Sequence, residues 1–156
     1  MASNTAVVAI LVSNPALRAL LAATLASSPL LRIRPFESEV ALSTYMRLAP
    51  VDIVVADFDG TPSADVLGRA LRADTRLERR DFQMIALSSR IDSAIKAASL
   101  QAGIDEIIVK PMSPRYLLER VLSRLARRPA ASLRRARPVT WPANVIPLFG
   151  QQPQQT

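Results

Sequence analysis

The sequence predicts a three-layer, doubly wound α/β fold in which five parallel strands alternate with five helices. Two observations predict this fold. Short, continuous apolar runs recur along the chain, and such runs are typical of strands that are covered on both faces. Between them lie segments whose apolar residues recur at helical spacing. This alternation requires right-handed crossovers and places helices on both faces of one parallel sheet.

The central strand is the clearest element. Within residues 51–60 (VDIVVADFDG), the apolar run 53–56 ends abruptly at Asp57, and a second acid and a glycine follow at Asp59 and Gly60. The absence of polar alternation predicts a strand in the middle of the sheet. An acid at the carboxyl end of such a strand lies where open α/β sheets place their ligands and their chemistry.

The other four strands are predicted from similar apolar runs. In the second strand, Arg32 and Arg34 alternate with Leu31 and Ile33, as expected near a sheet edge. The predicted bounds of the four strands are residues 6–12, 30–36, 82–87 and 106–109.

The helices are predicted from their apolar spacing and from their ends. Asn14 and Ser113 are each followed by a proline, so each is a predicted N-cap with proline at the first helical position. Pro50 ends the second helix, and Gly103 closes the fourth. The predicted bounds are residues 15–26, 38–48, 63–72, 91–101 and 113–127.

The charge of the chain is unevenly distributed. The net charge is +7, yet all 13 acidic residues and 13 of the 20 basic residues lie at or before Glu119. The excess therefore lies in the seven arginines that follow: Arg120, Arg124, Arg127, Arg128, Arg134, Arg135 and Arg137. Such an asymmetry suggests an anionic partner. The chain has 18 arginines and two lysines, so a high arginine content is also a property of the whole sequence.

The chain divides into a domain over residues 1–127 and a tail over residues 128–156. Five prolines between residues 129 and 153 exclude a long helix in the tail, which we expect to be extended or disordered until something binds it. The chain has no cysteine and no histidine, which excludes disulfides and removes the commonest metal ligands. Since no apolar stretch approaches the roughly 20 residues of a membrane span, and no signal peptide is recognisable, we expect a cytoplasmic protein without membrane insertion.

Three polar residues end neighbouring strands at one edge of the predicted sheet: Asp57, Ser88 and Lys110. In these stretches (IVVAD, IALSS and GIDEIIVKP) residues 5–127 resemble the CheY-like receiver domains of response regulators. The resemblance implies a flavodoxin-like fold with strand order 2-1-3-4-5 and a cis peptide bond before Pro111. It also implies that Asp57 accepts a phosphoryl group from a histidine kinase, that Ser88 bonds a phosphoryl oxygen, and that Lys110 neutralises its charge.

The sequence departs from the receiver pattern at two places. Receivers hold Mg²⁺ with an acidic pair at the end of the first strand, where this chain has Val12 and Ser13. Valine cannot coordinate a hard cation, so we expect no metal site and no required cofactor. Ile107 replaces the aromatic switch residue of the fifth strand. An alternative to phosphorylation is that Asp57 and Lys110 simply form an ion pair in an inherited pocket.

The tail carries the second functional signal. Six arginines lie between Arg124 and Arg137 with no acid among them, and the only tryptophan, Trp141, follows. Arginine forks bind phosphate and the O6/N7 edge of guanine, and an indole ring offers a stacking face. The tail resembles the arginine-rich extension by which a subgroup of CheY-like proteins binds cyclic di-GMP. The resemblance implies these ligand-binding residues: Arg127, Arg128, Arg134, Arg135, Arg137 and Trp141.

The sequence therefore predicts a non-enzymatic effector that binds cyclic di-GMP by coupled folding of its tail and signals to a protein partner, at the flagellar motor or in surface attachment. One alternative is a single-domain response regulator that is phosphorylated at Asp57. Another is a pseudo-receiver whose basic tail tethers it to a protein or, with less support, to nucleic acid. Apolar tail residues would also suit docking on the receiver surface: Trp141, Val145, Ile146, Leu148 and Phe149.

Overall fold

A computed structural model describes residues 5–127 and the backbone of residues 145–147. The strands are β1 (Ala6–Leu11), β2 (Leu31–Phe36), β3 (Ile53–Asp57), β4 (Gln83–Ser88), β5 (Glu106–Val109) and β6 (Val145–Pro147). The helices are α1 (Pro15–Ala26), α2 (Glu39–Leu48), α3 (Ala64–Ala73), α4 (Ser93–Ala102) and α5 (Pro114–Ala126). The first five strands and all five helices lie within two residues of their predicted bounds.

The sheet has the order β2-β1-β3-β4-β5-β6. Its first five strands are parallel, which confirms the predicted order 2-1-3-4-5. The sixth strand was not predicted: β6 pairs antiparallel with β5, with Ile146 opposite Ile107. It is hard to detect in the sequence because it has three residues, ends in a proline, and lies in a proline-rich stretch that argues against a strand.

The core has two halves, one on each face of the sheet, and the central strand contributes to both. Val54 and Ala56 of β3 pack with residues of α2, α3 and α4. Ile53 and Val55 pack on the opposite face with residues of α1 and α5. All five residues of β3 are buried, so the continuous apolar run is explained by cover on both faces. The three-layer prediction is confirmed.

The predicted helix ends and the predicted cis bond are confirmed. The side-chain oxygen of Asn14 accepts hydrogen bonds from the N–H groups of Ala16 and Leu17, at 3.0 and 3.1 Å. The Ser113 hydroxyl caps α5 in the same way. Gly103 ends α4 in the left-handed region, with φ of +74°, where glycine is favoured. The Lys110–Pro111 bond is cis. In the part of the chain that the structure describes, no helix has the length and hydropathy of a membrane span.

A buried carboxylate joins β5 to α5. Glu106 is fully buried, and its two oxygens accept hydrogen bonds from Arg120 at 2.8 and 2.9 Å. Arg124 donates to Glu106 at 2.7 Å and to the carbonyl of Asp105 at 3.0 Å. Of the seven arginines that carry the charge excess, Arg120 and Arg124 therefore belong to the folded domain and not to the tail. Both belong to α5, and both hold the start of the fifth strand.

This arrangement predicts a large effect on stability for Arg120→Ala. Removing one partner of a buried ion pair leaves a carboxylate poorly compensated, so we expect the free energy of unfolding to fall by about 3 kcal/mol. The measurement is urea unfolding followed by circular dichroism. Arg115→Ala, at an exposed position on the same helix, is the matched control and should change stability by less than about 0.5 kcal/mol. Equal stability of the two variants would contradict a stabilising role for the pair.

Candidate functional site

Asp57 and Lys110 meet at the carboxyl edge of the sheet. Asp57 ends β3 and is only 7% exposed, and Lys110 directly follows β5. The Lys110 Nζ atom lies 3.0 Å from Oδ1 and 2.9 Å from Oδ2 of Asp57. The ammonium group therefore bonds to both oxygens of the buried carboxylate.

Ser88, the third predicted residue, lies at the end of β4 but is bonded elsewhere. Its buried hydroxyl donates to the carbonyl of Arg90 at 2.6 Å and accepts from the Arg90 N–H at 3.3 Å. Ser89 instead contacts the acidic loop, because its N–H and its hydroxyl both donate to Asp59, at 3.1 and 3.0 Å. In this conformation Ser88 closes the turn after β4, and Ser89 is the serine bonded to the site.

Asp59 belongs to the site, although the sequence analysis assigned it no role there. Its Oδ2 atom lies 2.8 Å from Lys110 Nζ, and its N–H donates to Asp57 Oδ1 at 2.8 Å. Lys110 is therefore held between two carboxylates. Its position in the sequence could have identified Asp59. It lies only two residues after the last residue of a buried strand, and so it stays near the same edge of the sheet.

The charges of this cluster stabilise one another. The pKa of Asp59 is lowered, chiefly because Lys110 donates to it, with Ser89 adding to the effect and partial burial opposing it. Burial acts to lower the pKa of Lys110, but its hydrogen bonds to Asp59 and Asp57 outweigh this, so the pKa is raised. The ammonium form is therefore held over a wider pH range than in a free lysine.

The end of β1 does not offer the ligands that Mg²⁺ prefers. Val12 is apolar and fully buried. Ser13 has a neutral hydroxyl that accepts from the N–H of Thr61 at 3.3 Å, and a Cβ added to Gly60 would lie 2.8 Å from that oxygen. Among the residues that the structure describes, no group of three or more acids is placed to hold a metal. Since Mg²⁺ requires oxygen ligands in an octahedron, these residues do not fit a receiver-type magnesium site.

Of the predicted ligand-binding residues, only Arg127 is described. It is exposed at the C-terminal end of α5. The pKa of its guanidinium is lowered by partial burial and by the positive charges of Arg120 and Arg124. The others lie outside the described residues: Arg128, Arg134, Arg135, Arg137 and Trp141. Of the residues suggested to dock, Val145 and Ile146 pair with β5 through their backbone.

The five-stranded parallel sheet, with Asp57 and Lys110 in contact at its carboxyl edge, has the fold of response-regulator receiver domains. No family model matches the sequence. The chain is 36% identical over 72 residues to the chemotaxis protein CheY of Pseudomonas aeruginosa, a match that covers 45% of this chain and 56% of that protein. The chain thus spans about half the length of that relative.

A solved structure and a second relative agree with this class. The crystal structure of a response regulator from Thermotoga maritima superposes with a TM-score of 0.66 at 26% identity, covering 78% of this chain and 98% of that one. The cyclic di-GMP phosphodiesterase response regulator RpfG of Xanthomonas campestris is 29% identical over 93 residues, 60% of this chain but 24% of that protein. The described domain is therefore similar, in sequence and in fold, to CheY-like response-regulator receiver domains. The phosphodiesterase activity in that name is not carried over, because the match covers so little of the protein.

The lowered pKa of Asp59 predicts a pH-dependent effect for Asp59→Asn. At pH 7 the variant loses the attraction to Lys110, so its free energy of unfolding should fall, by less than about 1 kcal/mol since Asp59 is partly exposed. A lowered pKa stabilises the fold above 3.8, the ordinary aspartate value, and the benefit is lost as the pH falls through the folded value. The difference in the free energy of unfolding between Asp59→Asn and wild type should therefore shrink as the pH falls below 3.8.

The measurement is urea unfolding between pH 3 and pH 8. Glu37→Gln is the control, since that carboxylate is 87% exposed and lies 3.6 Å from Arg18, and it should show almost no pH-dependent difference from wild type. If the loss of unfolding free energy in Asp59→Asn stays constant down to pH 3, the Asp59 carboxylate does not stabilise the fold through its charge.

Proposed function

We propose that this protein is a non-enzymatic receiver-type effector that binds cyclic di-GMP through its arginine-rich C-terminal segment and passes the bound state to a protein partner. The observation that carries the proposal is how the arginines after Glu119 are divided. Arg120 and Arg124 are bonded to Glu106. Five others follow with no acidic residue after them in the sequence: Arg127, Arg128, Arg134, Arg135 and Arg137.

The chemistry of these residues suits a guanine dinucleotide. A guanidinium group bonds phosphate or the O6/N7 edge of guanine with two parallel hydrogen bonds, and each such guanine contact contributes about 1–3 kcal/mol. Trp141 would stack on a base. Ordering a segment on binding costs about 2–5 kcal/mol, so several arginines have to act together. This requirement fits a cluster better than a single residue.

The geometry of the aspartate pocket also favours a role away from phosphorylation. Lys110 is already shared by Asp57 and Asp59, and Val12 and Ser13 replace the acids that would bring Mg²⁺ to a phosphoryl group. In this proposal the receiver domain works without Mg²⁺ as a scaffold for the arginine-rich segment. The partner is a signalling protein or a component of the motility or attachment machinery.

The proposal predicts that Arg134→Ala/Arg135→Ala loses cyclic di-GMP binding. Two lost contacts of about 1 kcal/mol or more each correspond to a loss of affinity of at least about 30-fold. Isothermal titration calorimetry of the full chain is the measurement. The matched control is Arg32→Ala/Arg34→Ala, which removes the same charge from two exposed positions on β2 and should leave the affinity within about twofold.

Several outcomes would overturn the proposal. If wild-type protein does not bind cyclic di-GMP, the proposal is wrong. An equal loss of affinity in both double variants would mean that general positive charge, and not the segment, attracts the ligand. GMP and a random RNA serve as competitors, and RNA that displaces the dinucleotide at equal concentration would favour a nucleic-acid tether.

A second candidate function is phosphorylation of Asp57, with which the position of Lys110 beside both Asp57 oxygens is compatible. A phosphoryl group would pass from a donor to a carboxylate oxygen of Asp57, forming an acyl phosphate and releasing the donor's leaving group. Lys110 would then exchange a carboxylate contact for one to a phosphoryl oxygen. The positive charge required for phosphoryl transfer is thus partly in place.

Incubation with acetyl phosphate separates the two candidates. On the main proposal, intact-protein mass spectrometry should show no phosphoryl addition to the wild-type chain, with or without Mg²⁺, because the pocket lacks its acidic pair and Lys110 is already shared. The control is Asp57→Asn, which should behave as wild type does. A mass gain of one phosphoryl group in wild type but not in Asp57→Asn would instead support the second candidate.

A further inference from the structure

The carboxylate of Asp59 is surrounded by donors in the way that a bound anion would be. Its Oδ2 atom lies 2.8 Å from Lys110 Nζ and accepts a hydrogen bond from the Ser89 N–H at 3.1 Å. Its Oδ1 atom accepts from the Ser89 hydroxyl at 3.0 Å. One cation and two neutral donors, supplied by the ends of two neighbouring strands, therefore converge on this carboxylate. Proteins bind small oxyanions with donors of this kind.

The same contacts tie the loop between β4 and α4 to the aspartate pocket. This loop covers residues 89–92 and is mostly exposed. Its other polar contacts are local: the Ser88 hydroxyl bonds the backbone of Arg90, Arg90 pairs with Asp92 at 3.6 Å, and Asp92 caps α4. Among the described residues, Asp59 is thus the polar partner that reaches the loop from a distant part of the chain.

We propose that Lys110 and Ser89 form an oxyanion-binding site whose resident anion is the Asp59 carboxylate, and that this internal anion holds the β4–α4 loop closed against the aspartate pocket. The closed position of the loop is then set by the chain's own sequence and requires no added anion. The site belongs to the receiver domain alone. It does not depend on the binding of cyclic di-GMP, and its test contains no nucleotide.

The backbone holds Asp59 in place for this role. The Asp59 N–H donates to Asp57 Oδ1 at 2.8 Å, and the Gly60 N–H donates to the Asp57 carbonyl at 3.3 Å. The N–H of Thr61 then bonds the Ser13 hydroxyl at 3.3 Å. Because the loop is fixed before and after the carboxylate, the side chain acts at an effective concentration of at least about 1 mM. A small free anion should therefore compete poorly with it in wild type.

Removal of the carboxylate should leave a site that a small carboxylate can enter. Asp59→Ala keeps the donors of Lys110 and Ser89, and the side chain that it removes is 42% exposed, so the site can be reached from solvent. Formate carries the same two oxygens as the missing group. Asp57 still shares Lys110 and repels a free anion, so we expect formate to bind in the millimolar range.

The first test is amide hydrogen exchange of the full chain, followed by NMR. The Arg90 N–H is the informative group, because it is bonded to Ser88 and not to Asp59, so it reports the loop and not the loss of its own acceptor. In Asp59→Ala this group should exchange at least about fivefold faster than in wild type. Asp81→Ala is the matched control. It removes the same charge from an exposed position before β4 and should exchange as wild type does.

The second test adds formate to Asp59→Ala. Formate should return Arg90 exchange to within about twofold of wild type and shift the Ser89 amide resonance saturably, whereas chloride at equal ionic strength should do neither. The proposal is overturned if Arg90 exchange in Asp59→Ala equals that of wild type, or if formate and chloride act alike. If Asp59→Ala does not fold, the isosteric Asp59→Asn decides: unchanged Arg90 exchange in that variant overturns the proposal.

Discussion

The site depends on one ammonium group held between two carboxylates. Lys110 enters from the end of β5 and bonds both Asp57, at the end of β3, and Asp59, in the loop that follows. A lysine shared in this way ties the fifth strand to the third across β4, which lies between them. The same sharing compensates part of the charge of the two acids. The end of β1 carries Val12 and Ser13, and the loop after β3 packs against that serine.

A second carboxylate decides which of the C-terminal arginines belong to the folded domain. Glu106 is fully buried, and a buried carboxylate requires paired, hydrogen-bonded partners. Arg120 and Arg124 are placed for this at helical spacing on α5, so their guanidinium groups belong to the fold. The other five arginines of this group lie after them in the sequence. Net charge alone does not make this distinction, because it counts a buried structural arginine and an exposed one equally.

The sequence predicted most of the fold because the rules involved are local. The run of β3, the capping side chain of Asn14 and the left-handed position of Gly103 each follow from a few neighbouring residues. The contact of Asp57 with Lys110 was also predictable, since parallel strands end at one edge. The partners of Asp59, Ser88 and Ser89 were not, because they depend on how two loops fold against each other. The Glu106 pairing and β6 were missed for a related reason: both join residues distant in sequence, and neither leaves a periodic pattern.

These features meet on β5, which is only four residues long. Its first residue is fixed by the arginines of α5, its outer edge is paired with β6, and Lys110 continues from its last residue into the aspartate pocket. A short strand inside a packed core moves as a unit, because interiors are close-packed and side chains cannot shift singly at low cost. A change in the pairing of Lys110 therefore acts on an element that α5 and β6 also hold. β5 therefore links the aspartate pocket to α5 and to the outer edge of the sheet.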